Sequence, residues 1–297
     1  MKRIRRDQTM THFAKDLTPQ IEIEPGERIC VEATVMSRPA TGPIAVKGAE
    51  PGDTLVVTIH DIKVVETNYW WFPTAQSFGT AAFDYFKELG KHLVSAPRKR
   101  DDRFGEGAHL GIPIENNELV FSERLRVPMR PVIGAIGVAP EGEPIPTNLA
   151  GRHGGNMDCR EIAAGAKVYF PVAARGALLA VSDTHAAQAD GELLPQVECK
   201  SDVVLSAEVR KDLSLPTVFV ETDDGIHCIG SGPTIEDATG DAVIQTIEFL
   251  CKRAGLNYLE ACQLIATWGD ARICQAVNQV LTMRISLAKK ALPNFRL

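Results

Sequence analysis

The stretch AKVYFPVAARGALLAVSDTH, residues 166–185, decides the fold class. Two apolar runs, AKVYFPV and GALLAVSD, flank the short segment AARG, and this arrangement predicts two β-strands joined by a tight turn. The second strand then ends in Asp183, Thr184 and His185. Because binding and catalytic groups collect where the elements of a rigid scaffold end, the stretch predicts a site as well as a sheet.

Further β-strands are predicted upstream of this stretch. The segments ICVEATVM and TLVVTIHDI each follow a Pro-Gly-acid turn. Residues 118–138 contain two more strands, and a loop rich in Pro and Gly then leads to residue 154. The first two thirds of the chain are therefore expected to be mainly β.

The C-terminal third has a different pattern. Thr234 and Asp237 have the spacing of a helix cap, apolar residues follow at helical intervals, and Gly255 ends the helix. A second helix is predicted to begin at Asn257, and residues 271–293 are predicted to form a helix and a strand. The fold class predicted from the residues is thus mainly β with a C-terminal α/β portion.

The chain divides into four predicted segments that pack as one or two lobes. They are an N-terminal β segment (1–65), an aromatic-rich excursion (66–117), a β core that carries the site motifs (118–215) and the C-terminal α/β portion (216–297). The excursion has two interpretations: a loop and short helix that cover the core, or a lid whose Trp70 and Trp71 exclude water from a pocket.

The composition excludes several classes of partner. The chain has 38 acidic and 32 basic residues, and the basic ones form no stripe that could neutralise a run of phosphates, so we expect no nucleic-acid partner. No apolar run reaches the roughly 20 residues needed to cross a bilayer, so we expect a soluble protein without a membrane partner. Seven cysteines without a CxxC pair favour a reducing compartment, and we predict a cytoplasmic protein without disulfides.

Three side chains have the spacing of a metal site. Asp183 and His185 are two residues apart, so on an extended strand both point to one face and can reach one ion. Asp158 offers a third ligand, because Gly154 and Gly155 before it allow a close approach of the backbone. Three protein ligands are what a catalytic zinc uses while one position stays open.

Further polar side chains complete the predicted site. Glu192 follows an Asp-Gly turn and is a candidate general base, with Gln188 or Asp190 to orient it. Asn156 offers a side-chain amide for hydrogen bonding. The competing interpretations are an ordinary Gly-Gly-Asn turn and acidic residues solvated at the surface.

A cysteine nucleophile is the rival arrangement. The thiolate of Cys159, with a Glu and Lys167, would be another way to attack an amide or nitrile. Most cysteines are nevertheless expected to be small buried residues, and Lys167 is expected to lie on a strand. His12 and His153 would join the metal site only if the fold brings them there.

The motifs resemble the acetamidase/formamidase family of metal-dependent amidohydrolases over nearly the whole chain. The most specific stretch is GGNMDCREIAAGAKVYFPVAARGALLAVSDTHAAQADGE, and TGPIAVKGAEPGDTLVVTIHDI, PVIGAIGVAP and ACQLIATWGDARICQAVN are also similar. The resemblance implies a β-sandwich core with an α/β portion, and the hydrolysis of short aliphatic amides to a carboxylate and ammonia. It also implies that the metal and acid–base residues come from three short motifs, here Asn156 with Asp158, Asp183 with His185, and Asp190 with Gly191 and Glu192.

The chain departs from the family pattern at two places. Ser182 and Ala189 stand where the family usually has glycine, and a positive φ at either position would strain the loop. Arg130 and Pro131 stand where some relatives have His, which is expected to alter the pocket or the number of metal ions.

The predicted function is that of a metal-dependent amidohydrolase and homo-oligomer. The predicted metal ligands are Asp158, Asp183 and His185, the catalytic residues are Glu192, Asn156 and Asp190, and the substrate-binding residues are Gly154, Gly155, Trp70, Trp71 and Gln188. Zinc is the first choice of metal, although the same ligands accept manganese, iron or nickel. The alternatives are a metallohydrolase of an imide, lactam or ester, and a non-catalytic protein that binds small molecules on the same scaffold.

Overall fold

The computed structural model describes residues 1–71, 108–192 and 196–292. Residues 72–107, which make up most of the predicted lid, lie outside these ranges, and so do the side chains of Trp70 and Trp71. The strand that contains residue 65 continues to Trp71, so the first predicted segment boundary falls inside a strand. The division into four segments stays a prediction.

Strands are the predominant secondary structure of the described residues. Up to residue 71 they are β1 (Lys2–Ile4), β2 (Thr9–Met10), β3 (His12–Phe13), β4 (Ile21–Ile23), β5 (Arg28–Ala33), β6 (Ala40–Val46) and β7 (Thr54–Trp71). From residue 108 they are β8 (Ala108–Leu110), β9 (Ile114–Glu115), β10 (Glu118–Ser122), β11 (Leu125–Pro128), β12 (Val132–Gly137), β13 (Ile145–Pro146), β14 (Gly154–Asn156), β15 (Lys167–Pro171) and β16 (Leu179–His185).

The helices are confined to the C-terminal third of the described residues. The strands there are β17 (Val197–Arg210), β18 (Phe219–Glu221), β19 (Gly225–Gly232), β20 (Gly269–Gln275) and β21 (Leu281–Ala288). The helices are α1 (Ile235–Arg253), α2 (Tyr258–Trp268) and a single 3-10 turn, Lys289–Ala291. This distribution confirms the predicted fold class, mainly β with a C-terminal α/β portion.

One continuous sheet organises the molecule. Within the described residues it contains 16 strands, and its main path runs β14-β12-β16-β17-β7-β15-β18-β19-β21-β20. Strand β12 therefore lies between β14 and β16, which carry or precede the predicted metal ligands. The sheet order alone brings the motifs at residues 154–158 and 183–185 close together.

The main hydrophobic core forms where inward-facing side chains of the sheet meet. Strand β17 shows the period of two along residues 202–205. Val203 and Leu205 are buried, whereas Asp202 and Val204, which alternate with them, are only partly buried. The inward side chains pack against apolar residues of β5, β7, β12, β15 and β16 in one cluster. Since burying a Val or Leu side chain contributes about 1.5–3 kcal/mol, the strands that carry the site are held firmly by this core.

Both predicted helix starts in the C-terminal third are confirmed. Thr234 caps α1 and accepts a hydrogen bond from the Asp237 amide at 3.1 Å. Asn257 caps α2 in a reciprocal capping box with Glu260. Within the described residues, no helix combines the length and the apolar character needed to span a membrane.

The helix predicted within residues 271–293 is wrong. These residues form the antiparallel strands β20 and β21, followed only by the 3-10 turn at Lys289–Ala291. Strand β21 pairs with β19 on one side and β20 on the other, so its backbone groups are satisfied by the sheet. Pairing with distant strands, which the local sequence does not reveal, therefore decides the structure of this segment.

Candidate active site

Three buried side chains converge at the end of strand β16. Asp183 and His185 lie on β16, and Asp158 lies two residues after the end of β14. One ligand atom from each of them lies within 4.8 Å of the others. All three residues are at most 5% exposed. Two carboxylates and an imidazole in this arrangement form a possible metal-binding triad.

A glycine on the neighbouring strand makes room for this triad. A Cβ atom on Gly134 of β12 would lie 2.7 Å from the Asp183 carbonyl oxygen and 3.1 Å from His185 Cε1, and it would overlap Asp158 Oδ1. The Gly134 carbonyl also accepts a hydrogen bond from the Asp158 amide at 2.9 Å. The position requires glycine because any side chain there would displace all three members of the triad.

The backbone is strained at the candidate site. Asp158, Asp183 and Glu192 have φ angles of 46°, 57° and 44°, in the left-handed region that residues other than glycine seldom adopt. Such strain persists only where the surrounding structure fixes the conformation, and it concentrates at functional sites. Neither Ser182 nor Ala189, which replace family glycines, has a positive φ, so these two replacements introduce no such strain.

Gln188 fixes the orientation of the His185 ring. The Gln188 side-chain NH2 donates a hydrogen bond to the Asp158 carbonyl oxygen, so its Oε1 accepts from His185 Nδ1 at 2.9 Å. His185 Nε2 is therefore the ring nitrogen that faces the two carboxylates of the triad. A ligand histidine that donates its other N–H to an oxygen in this way is held in one tautomer and one orientation.

A further carboxylate, Glu198, lies beside the triad. It is paired with His185 in the register of β16 and β17, and its Oε2 lies 3.5 Å from His185 Nε2. Asp183 Oδ1 lies 3.4 Å from the same nitrogen. The sequence contained only a weak indication of this residue, because the alternation along β17 identifies its face but not its partner strand.

The packed carboxylates shift the pKa values of the whole group. Burial, together with the charge of Asp183, raises the pKa of Asp158 to about 6. Burial lowers the pKa of His185, but the carboxylates of Glu198 and Asp183 raise it by more, so the pKa lies well above the ordinary histidine value. Burial and Asp183 likewise raise the pKa of Glu198 well above its usual range. These groups hold protons that a cation would have to replace.

Several buried oxygens and one nitrogen at the site lack hydrogen-bond partners. Among the described residues these atoms include Asp158 Oδ1, His185 Nε2, Glu192 Oε2 and Glu198 Oε2. Buried polar atoms are otherwise almost always paired, so a cluster of unpartnered ligand atoms needs an explanation. A divalent cation fits this donor set, because oxygen and imidazole nitrogen are ligands of zinc and of related metals.

Glu192 reaches the triad from the segment after β16. Burial, together with the charge of the neighbouring Asp158, raises the pKa of its carboxyl group well above the usual range. Asp190, by contrast, directs both carboxylate oxygens to Arg284, at 2.7 and 3.1 Å. The structure thus brings Glu192 to the triad and pairs Asp190 with a cation instead, and the catalytic roles of both residues stay predictions.

The Gly-Gly-Asn segment forms a short strand. A Cβ atom on Gly154 would overlap the Ile136 carbonyl oxygen, and one on Gly155 would overlap the Leu149 carbonyl oxygen. The glycines therefore let β14 pack closely against its neighbours, and their contact with substrate stays a prediction. Asn156 is buried with an unpartnered Oδ1 two residues before Asp158.

The structure does not assemble the rival cysteine site. Cys159 is fully buried, whereas Lys167 is exposed on β15. Burial lowers the pKa of His153 to about 4, and its ring packs edge-on against Phe13 at 4.9 Å. His12 pairs with Pro146 in a separate two-stranded sheet. Neither histidine belongs to the triad.

The C-terminal hairpin of β20 and β21 contributes contacts that sequence reasoning missed. Asn278 Nδ2 donates to Asp158 Oδ2 at 3.3 Å, and Thr282 Oγ1 donates to the Met157 carbonyl oxygen at 2.7 Å. Arg284 of β21 binds Asp190. The resemblance had marked part of this hairpin as a family pattern, but the sequence did not indicate that it touches the site.

Comparison with known proteins identifies the family. A model of the acetamidase/formamidase family matches residues 35–148 and 142–222. The chain belongs to the acetamidase/formamidase family. It is 27% identical over 188 residues to a formamidase of Methylophilus methylotrophus, covering 52% of this chain and 46% of that protein. It is 29% identical over 195 residues to an acetamidase of Mycolicibacterium smegmatis, covering 52% of this chain and 48% of that protein. The chain thus spans about half the length of these curated relatives.

Solved structures of acetamidase/formamidase proteins extend the likeness to the whole fold. A predicted acetamidase/formamidase from Thermoanaerobacter tengcongensis matches with a TM-score of 0.85 and 31% identity, over 100% of this chain and 99% of that one. An acetamidase from Bacillus halodurans matches with a TM-score of 0.85 and 32% identity, over 99% of this chain and 100% of that one. A gamma lactamase from Delftia acidovorans, at 19% identity and a TM-score of 0.57, shares the fold alone.

Proposed function

We propose that the protein is a metal-dependent amidohydrolase that converts short aliphatic amides to a carboxylate and ammonia. The observation that carries the proposal is the buried triad of Asp158, Asp183 and His185, whose ligand atoms lie within 4.8 Å of one another. Membership of a family whose relatives are named formamidase and acetamidase supports the choice of amide over other substrates.

The triad would hold the metal, with zinc as the expected ion. A divalent cation supplies Lewis acidity, which polarises a carbonyl group and makes water a stronger nucleophile near neutral pH. His185 contributes Nε2, because Gln188 occupies Nδ1. Two carboxylates and one imidazole also suit manganese, iron or nickel, so metal availability would decide among them.

Glu192 is proposed as the group that moves the proton. Its pKa is raised by burial and by Asp158, so the carboxyl group can hold a proton at a higher pH than an ordinary glutamate. It would take a proton from the attacking water and pass it to the amide nitrogen. The carbon–nitrogen bond then breaks with ammonia as the leaving group, and the acyl carbon keeps the oxygen of the water.

Asn156 is proposed to donate a hydrogen bond to the substrate oxygen as negative charge develops there. It lies on β14, beside β12 and two residues before Asp158, and its side chain is buried. A donor placed at a developing oxyanion in a site shielded from water typically lowers the activation free energy by about 2.7–4 kcal/mol. Gly154, Gly155 and Gln188 would support the substrate through the geometry they impose on this segment.

Ammonia release from a series of amides tests the proposal. The zinc-loaded protein is expected to release ammonia from formamide, acetamide and propionamide, and the order of rates gives the size of the acyl pocket. Esters and lactams of similar size are the comparison substrates, assayed by acid release and ring opening. Folded, metal-loaded protein that hydrolyses an ester or lactam and none of the amides would overturn the proposed substrate class.

Location and assembly complete the proposal. The seven cysteines are free, which supports a reducing compartment such as the cytoplasm.

Helix α2 exposes Tyr258, Leu259 and Trp268 by 69%, 64% and 47%, which supports a homo-oligomer that covers this face. Light scattering after gel filtration should therefore give a mass above that of one chain, and Leu259→Lys should lower it.

A further inference from the structure

A fully buried arginine connects the C-terminal hairpin to both segments that carry the site. Arg284 of β21 is 0% exposed. Its Nη1 donates to Asp190 Oδ1 at 2.7 Å, and its Nη2 donates to Asp190 Oδ2 at 3.1 Å and to Glu161 Oε1 at 2.9 Å. Asp190 lies two residues before Glu192, and Glu161 lies three residues after Asp158. One guanidinium group therefore joins the two segments from which Asp158 and Glu192 project.

The backbone of the Asp-Gly-Glu segment is held by the same hairpin. The Gly191 amide donates to the Cys274 carbonyl oxygen at 3.1 Å, and the Ala276 amide donates to the Gly191 carbonyl oxygen at 3.2 Å. Glu192 then follows with a φ of 44°. A strained residue needs external contacts to stay in its conformation, and the contacts described here come from β20, β21 and the loop between them.

Other arginines approach the same carboxylates without this geometry. Arg160 and Arg272 each lie 3.7 Å from Asp190 Oδ2, beyond hydrogen-bond distance. The Arg272 side chain is 47% exposed, whereas that of Arg284 is 0% exposed. A planar guanidinium that binds a carboxylate through two parallel bonds fixes its orientation, whereas an exposed charge at longer range supplies only attraction.

From this geometry we propose that Arg284 is a positioning residue, which holds Glu192 beside Asp158 through the carboxylate of Asp190. Arg284 does not itself touch the substrate. This inference rests on the proposed function, since Glu192 has a catalytic role only in that reaction. It adds a residue from the C-terminal α/β portion, 94 positions from Asp190 in the sequence, to the machinery of the site.

Kinetics of four variants test this role. Arg284→Met should lower kcat by about 100-fold, the effect expected from a misplacement of roughly 1 Å, while KM changes by less than about threefold and metal content is unchanged. Arg272→Met removes a nearby exposed charge and should stay within about threefold of the wild-type kcat. In a Glu192→Gln background, Arg284→Met should cause less than about a threefold further loss, because it acts through the removed carboxylate. A full additional 100-fold loss in that background, or loss of the metal, would overturn the inference.

A conservative variant, and a measurement that does not depend on activity, test the same role of Arg284. If Arg284→Met does not fold, Arg284→Lys keeps the charge and loses the two parallel bonds, and kcat should fall by about tenfold. Hydrogen exchange at the Gly191 amide needs no activity: it should be about tenfold faster in a folded Arg284 variant and unchanged in Arg272→Met. Unchanged exchange in both Arg284 variants would overturn the inference. A wild-type protein without amidase activity would instead refute the proposed function, and the exchange measurement would still decide whether Arg284 holds this segment.

Discussion

Two neighbouring clusters of carboxylates in this protein have similar composition and opposite chemistry. In the first, Asp158, Asp183 and Glu198 lie around His185, and several of their oxygens lack partners. In the second, Asp190 and Glu161 bind the buried Arg284. We call the first the open cluster and the second the paired cluster.

Pairing, and not residue type, separates the open cluster from the paired cluster. The paired cluster satisfies its carboxylates with a fixed cation that belongs to the chain. The open cluster keeps ligand atoms unpartnered, with raised pKa values, so it can accept a cation from solution. Changes in the open cluster should therefore abolish metal binding. Changes in the paired cluster should leave the metal bound and lower stability, and they should affect activity only where they move Glu192.

The largest expected effect comes from removing a ligand of the open cluster. Asp183→Asn should lower metal affinity and ammonia release by more than about 100-fold, since outer contacts alone typically change these quantities by about 10- to 100-fold. The melting temperature of the chelated variant should not fall, because the substitution relieves repulsion among the buried carboxylates. Asp61→Asn, on an exposed position of β7, is the matched control. A variant that keeps wild-type activity would exclude Asp183 as a ligand.

A single methyl group at Gly134 should disrupt the open cluster, because it would overlap the residues of the metal site. Gly134→Ala places a Cβ against Asp158, Asp183 and His185, so metal binding should be lost and the free energy of unfolding should fall by about 1–3 kcal/mol. The control is Gly240→Ala, since Gly240 lies in α1 with no atom within 4 Å of the added Cβ. That variant should be more stable by about 0.5–1 kcal/mol. Metal titration and thermal melting measure both effects, and full metal binding by Gly134→Ala would contradict the geometry.

In the paired cluster, a change at Glu161 should act mainly on stability. Glu161→Ala removes one partner of Arg284 and leaves the bonds to Asp190, so unfolding should become easier by about 1.5–3 kcal/mol, the usual range for a hydrogen bond to a charged group. Urea denaturation of the chelated protein measures this change. Metal content should stay at the wild-type level. Loss of the metal without loss of stability would show that the two clusters are not separate in function.

Chelation should make the open cluster visible in the pH dependence of stability. The pKa of Asp158 is raised to about 6 from 3.8, so its contribution favours the folded state at low pH and is lost as the pH rises through about 6. The raised pKa values of His185, Glu192 and Glu198 act in the same direction. The chelated protein should therefore lose about 1 kcal/mol or more between pH 5 and 8, on the order of 2–4 °C in melting temperature. The metal-loaded protein should lose less, because the cation replaces these protons. Parallel pH profiles for the two forms would count against the metal site.

The sequence predicted the features that depend on the spacing of residues close together in the chain. The fold class, the starts of helices α1 and α2, and the convergence of Asp183 with His185 follow from periods of 2.0 and 3.6 residues and from capping rules. Gly134, Glu198 and Arg284 were missed because their roles depend on the order and register of distant strands. The sequence predicted a helix and a strand in residues 271–293, and only the pairing of β21 with β19 and β20 shows that the segment forms two strands.

Asp190 shows most clearly what the sequence could not predict. Its position in the Asp-Gly-Glu motif beside Glu192 predicted a catalytic role, and the sequence offered no reason to connect it with a residue in β21. Its two hydrogen bonds to Arg284 put it in the paired cluster. Spacing along the chain can bring acids together, but the cation that pairs with one of them is found only in the fold.

A zinc titration of the chelated protein, with ammonia release from acetamide and formamide measured at each step, tests the role of the open cluster most directly. We predict that activity is absent after chelation, rises in proportion to added zinc, and saturates at about one equivalent per chain, as expected for three protein ligands around a single ion. His185→Ala, folded and treated identically, should remain inactive throughout. Undiminished activity in the chelated wild-type protein, or full activity in His185→Ala, would contradict the claim that the open cluster is the metal site of an amidohydrolase.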